Sequence, residues 1–182
     1  MDPVRNPYAP GAGQRPPELA GRDRELSMFD VVLERVSRGR PERSLILTGL
    51  RGVGKTVLLN TLRSQAISRL WGTGKIEARP DQSLRRPLSA ALHMAVRELA
   101  PHHRAPDRID DFLAVLKAFA LRGDATSGRQ EKLRDRWQPG IDVPPTSGRA
   151  DSGDIEIDLV ELLSDAASVA TDVGTGIALF ID

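Results

Sequence analysis

Gly49-Leu50-Arg51-Gly52-Val53-Gly54-Lys55-Thr56 fits the spacing G-x-x-x-x-G-K-[ST] without a mismatch. These residue types suit one task, the holding of phosphate. Glycines let the backbone close around an anion in conformations that other residues resist. The amides from about Arg51 to Thr56, between Gly49 and Val57, would point at the anion from a helix start, where the dipole adds partial positive charge. Lys55 would bring its ammonium to the outer phosphates, and Thr56 its hydroxyl to a magnesium ion. The final run, Ile177-Ala178-Leu179-Phe180-Ile181-Asp182, has the pattern of a buried strand that ends in an acid. With the loop upstream, Asp182 is expected as the second magnesium ligand.

Other groups are weaker candidates. His102-His103 lies between Pro101 and Pro106 with no further ligand at metal spacing, the pattern of a solvated loop. His93 is simplest as a helix-surface residue. Asp110-Asp111 opens a helix, where acids favour the positive dipole end. Gly72-Thr73-Gly74-Lys75 mimics half a phosphate loop, but it lacks the upstream glycine and runs on into Ile76. No serine, histidine and acid are arranged as a hydrolytic triad.

The elements that must position the loop follow from periodicity. A helix is predicted over Asp23–Ser37, with Leu26, Phe29, Leu33 and Val36 on one face. Ser44–Thr48 is predicted as the first strand, followed after the loop by a helix showing Leu59, Leu62, Ala66 and Leu70. A short strand is expected at Lys75–Arg79. Next comes a helix with Leu84, Leu88, Leu92, Ala95 and Leu99 on one face, holding Pro87 in its first turn. Asp107 is expected to cap a helix over 108–121, and a last helix over 158–171 leads through Gly174 to the final strand. Residues 1–21, rich in proline and glycine, read as an extended arm. Residues 123–154, poor in apolar side chains, read as a disordered insertion.

Strands alternating with helices imply an α/β fold with a parallel sheet covered on both faces. The chain has 182 residues, enough for one domain with a real core. Its net charge of +1 argues against broad attraction to nucleic acid or membranes. Aromatic residues make up only 4%, too few for a base-stacking platform. There is no cysteine, which excludes disulfides and thiolate chemistry. The first residues lack the apolar run of a signal peptide, and no stretch reaches the length of a membrane span, so a cytoplasmic protein is expected.

Three segments together carry a resemblance. Asn6-Pro7-Tyr8 through Pro16-Pro17, Leu19-Ala20-Gly21-Arg22-Asp23-Arg24-Glu25-Leu26, and Thr48-Gly49 through Thr56-Val57 resemble the AAA-type ATP-binding proteins of actinobacteria. Their nucleotide domain is similar to that of origin-recognition initiators and of the signalling ATPases called STAND. The resemblance implies a P-loop NTPase, a three-layer αβα sandwich, with ATP and magnesium as cofactors. It implies Gly49, Arg51, Gly52, Val53, Gly54, Lys55, Thr56 and Val57 around the nucleotide, and Thr56 with Asp182 at the metal. The stretch from Leu19 to Arg22 would lie near the adenine. Residues 22–182 would form part of such a domain, cut off after the magnesium-acid strand. In the family a catalytic glutamate, further strands, a sensor residue and an arginine follow that acid, so binding with weak or no hydrolysis is expected. A protein partner or self-association is possible in this picture. The alternatives are a compact nucleotide kinase or GTPase, against which stands the lack of a guanine motif or lid, and a non-catalytic remnant that docks a partner on helices 84–122.

Overall fold

The computed structural model describes residues 21–80, 83–121 and 140–182. The expected arm, apart from Gly21, and the stretch 123–139 of the expected insertion lie outside the described residues.

Helix α1 spans Asp23–Ser37 and buries Phe29 and Leu33. Helix α2, Lys55–Ser68, starts directly after the loop and buries Leu58, Leu62 and Ala66. The two helices are clamped by Gln65, whose side-chain amide donates to Asp30 Oδ1 at 2.9 Å. Arg69 adds contacts to Asp30 and Glu34. Strand β1, Gly72–Ile76, runs parallel to strand β2, Ile177–Ile181, with Gly72 opposite Ile177 and Ile76 opposite Ile181. Between the strands come α3 (Arg85–Leu99), a 3-10 turn (Ala100–His102), α4 (Pro106–Leu121) and α5 (Ile155–Val173).

Helices cover both faces of this pair of strands. On one face Phe29, Leu33, Leu58, Leu62, Ala66 and Trp71 meet Phe180 of β2. On the other, Ile76 joins Leu92, Val96, Leu116, Phe119 and Leu162 from α3, α4 and α5. Each such Leu or Phe contributes about 1.5–3 kcal/mol when fully buried. The unalternating apolar sequence of β2 has this cause, since Ala178 and Phe180 pack on one face and Ile177 and Leu179 on the other.

Four boundaries differ from the sequence-based expectations. Ser44–Thr48 is not a strand: it pairs with no neighbour among the described residues, and Ile46 is 85% exposed. An apolar extended run becomes a strand only when a ladder satisfies its backbone. Here a cavity of about 740 Å³ separates residues 42–47 from β2. The strand expected at Lys75–Arg79 begins instead at Gly72. Its glycines are sites of close approach, because a Cβ on Gly72 or Gly74 would stand 2.5 Å from the carbonyl oxygen of Ala95 or Ala91 in α3.

Helix α4 starts at Pro106, so Asp107 sits inside the first turn rather than at the cap. Helix α5 starts at Ile155 because the Asp154 side chain accepts from the amides of Glu156 and Ile157.

Residues 140–154, expected within a disordered insertion, are packed. Lys117 of α4 donates to the carbonyls of Ile141 and Val143, both at 2.8 Å. Ile141 and Ala150 are buried. Sparse apolar content suggested an unfolded segment, but two well-placed apolar side chains and backbone hydrogen bonds suffice to hold it. No helix among the described residues is long and apolar enough to cross a membrane.

Candidate functional site

The loop is shaped by its glycines. Gly49, Gly52 and Gly54 have φ of 152°, 85° and 82°, a region that side chains resist. Gly54 is the N-cap of α2 and brings no side chain, so the first amides of the helix have no side-chain cap. Arg51, Gly52 and Val53 form the exposed crest, and Val57 is half-buried in the first turn of α2. Arg22, just before α1, donates to the Val53 carbonyl at 2.8 Å and to Glu25 at 3.0 Å. It thereby braces the loop. The Glu25 carboxyl is held below its usual range, by a backbone hydrogen bond first and then by Arg22. Leu19 and Ala20 lie outside the described residues.

Lys55 and Thr56 occupy the first two positions of α2. The Lys55 ammonium folds back to the carbonyls of Gly49 and Leu50, at 2.9 and 2.8 Å. The Thr56 hydroxyl donates to Asp182 Oδ1 at 3.1 Å. Asp182 follows β2 directly, and the backbone ladder fixes it: its amide donates to Ile76 and its carbonyl accepts from Ala78. The structure therefore brings Lys55 and Thr56 together with Asp182, which is 126 residues beyond Thr56 in the chain. A hydroxyl and a carboxylate converging beside a glycine loop and an ammonium are the hard oxygen donors that magnesium takes.

Sequence reasoning missed one member of this cluster. Lys75 of β1 donates to Asn60 of α2 at 2.7 Å and lies 3.9 Å from Asp182 Oδ2. The signal was the strand register: once Gly72 and Gly74 face α3, Thr73 and Lys75 must face α2.

The remaining candidates lie elsewhere. His103, expected in a solvated loop, has a side chain only 3% exposed; its Nδ1 accepts from the Ala105 amide at 3.0 Å, and its Nε2 faces Asp172. Partial burial, then Arg97, lowers the pKa of His93. No cluster of three metal-ligating side chains occurs among the described residues.

A parallel α/β framework with a glycine loop feeding a helix and an acid at the end of the neighbouring β2, beside that helix start, has the layout of a P-loop protein. The model of the AAA ATPase domain family matches residues 18–182. The chain belongs to that family of nucleotide-binding ATPase modules. Comparison with curated proteins gave no match, nor did comparison with solved structures.

Proposed function

We propose that this chain binds ATP with magnesium, as suits a member of the AAA ATPase domain family. The observation that carries the proposal is the 3.1 Å contact of Thr56 with Asp182, which assembles a metal-binding pair beside Lys55. The loop from Gly49 to Val57 would hold the phosphates through its amides, and Lys55 would exchange its two loop carbonyls for phosphate oxygens. Thr56 and Asp182 would hold the magnesium ion, which when bound neutralises phosphate charge. Arg22 would keep the loop in shape through Val53.

The wider picture is an AAA-type domain over 22–182, a three-layer sandwich similar to that of origin-recognition and STAND ATPases. The cavity between residues 42–47 and β2 supports this reading, because the sheets of such ATPases place one further strand between the segment leading into the loop and the strand that bears the acid. Direct pairing of 45–48 with 178–181 would have favoured the kinase or GTPase alternative, and β2 pairs with β1 instead. An ATP-dependent module works where ATP is abundant, so we place the chain in the cytoplasm. Its partner would be a protein or a second copy rather than nucleic acid, given the near-neutral net charge.

The test is titration of fluorescently labelled ATP with magnesium into the chain and into Lys55→Ala. Losing a charge-assisted hydrogen bond is expected to weaken binding by roughly 10- to 150-fold. Equal affinities would overturn the site.

A further inference from the structure

We propose that Lys75 is a second cation of this site, one that competes with the divalent ion for Asp182 and so sets how strongly nucleotide binding depends on that ion. The proposal rests on the functional reading just given.

The placement of Lys75 follows from packing. Along β1, Gly72, Gly74 and Ile76 face α3, and no other register is open while the Ala91 and Ala95 carbonyls stand where a Cβ would go. Lys75 is therefore turned toward α2. There Asn60, one helical turn after Thr56 on the same face, accepts from its ammonium at 2.7 Å. That anchor holds the ammonium 3.9 Å from Asp182 Oδ2, while Asp182 Oδ1 accepts from Thr56 at 3.1 Å. One carboxylate thus stands between the hydroxyl proposed for magnesium and a fixed positive charge.

Two consequences act in the same direction. A dication held by Asp182 would be repelled by the ammonium, which lies 3.9 Å from the carboxylate. The side chains of Lys75 and Asp182 are 31% and 30% exposed, so water screens much of this. A penalty of about 3- to 10-fold in metal affinity is what remains. With magnesium removed, the ammonium offsets the negative charge of Asp182, which would otherwise repel a triphosphate. Lys75 therefore favours metal-free nucleotide and opposes metal-bound nucleotide.

The experiment measures the affinity of labelled ATP in excess EDTA and at saturating magnesium, for the chain and for Lys75→Met, Lys75→Gln and Lys75→Arg. In the two neutral variants the ratio of the dissociation constant in EDTA to that with magnesium is expected to rise about 3- to 10-fold. The magnesium concentration at half-saturation is expected to fall with it. Lys75→Arg keeps the charge and is expected to keep the wild-type ratio. Circular dichroism identifies any variant that fails to fold, and the other neutral variant then carries the comparison. A wild-type ratio in the folded neutral variants, with Lys55→Ala still weakening binding, would overturn the role of Lys75 alone. Full binding by Lys55→Ala would overturn the site and the role of Lys75 together.

Discussion

The Arg85 guanidinium meets the carboxylate of Asp158 at 3.3 Å, from both terminal nitrogens, and lies over the Phe119 ring at 4.3 Å. The pair ties the start of α3 to the first turn of α5 inside the molecule, where Asp158 is fully buried. The carboxylate also accepts from the Ser152 amide and hydroxyl at 2.8 and 2.7 Å, and from the Gly153 amide. It is the knot that holds residues 150–154 against the helices.

Asp158→Ala would leave the Arg85 charge buried without its partner. Such a loss is expected to cost about 3–5 kcal/mol, read from urea denaturation. Replacing both partners by apolar residues of similar size is expected to recover much of that loss, since neither charge is then stranded. If the double replacement is as unstable as the single one, the pair is not what the site needs.

The same group sets a pH dependence. Burial pushes the Asp158 carboxyl up, but hydrogen bonds from the Ser152 hydroxyl, the Ser152 and Gly153 amides and Arg85 outweigh it, and the net shift is downward from 3.8. A folded pKa below the unfolded one gives stability that is complete above the unfolded value and lost as pH falls through the folded one. Stability is therefore expected to fall below about pH 4, and Asp158→Ala to show a shallower acid limb. Identical acid limbs in urea titrations of the two proteins would rule this out.

Gly74→Ala tests the contact between β1 and α3. Its Cβ would meet the Ala91 carbonyl oxygen at 2.5 Å and the Ala91 Cβ at 2.8 Å, so helix or strand must move. Overpacking of this kind is expected to cost about 1–3 kcal/mol. An unchanged urea midpoint would show that the layers are not in tight contact.

Hydrogen exchange tests the cavity beside β2. In the ladder, Gly72 donates to Gly176, and Asp182 both donates to Ile76 and accepts from Ala78. Even-numbered residues of β2 therefore bond to β1, and Ile177, Leu179 and Ile181 turn their amides to the other edge. The Leu179 and Ile181 amides are expected to exchange faster than those of Ala178 and Phe180. Equal protection would mean that this edge is already paired.

The sequence made plain what depends on neighbours along the chain. The loop pattern, the bounds of α1, and the pairing of Thr56 with Asp182 all follow from local spacing or from a motif whose chemistry requires the second half. What it concealed depends on contacts distant along the chain. Residues 44–48 have strand composition, yet a strand exists only beside another strand. Gly72 and Gly74 looked like half of a phosphate loop, although they serve the approach of a helix. Lys75 stood only in a half-match to a phosphate loop, and its place beside Asp182 appears only when the register of β1 is known. Residues 140–154 looked unstructured because composition does not reveal that Lys117 and Asp158 will hold them.

Where Gly72 and Gly74 pass beneath Ala95 and Ala91, backbone lies against backbone with no side chain as spacer. Inheritance at these four positions is therefore joint. A lineage that enlarges one of them must rearrange its opposite number in the same step or lose the register of β1. Because that register also directs Lys75 toward Asp182, the permitted substitutions on the buried face of α3 are bounded by the electrostatics on the opposite side of the sheet.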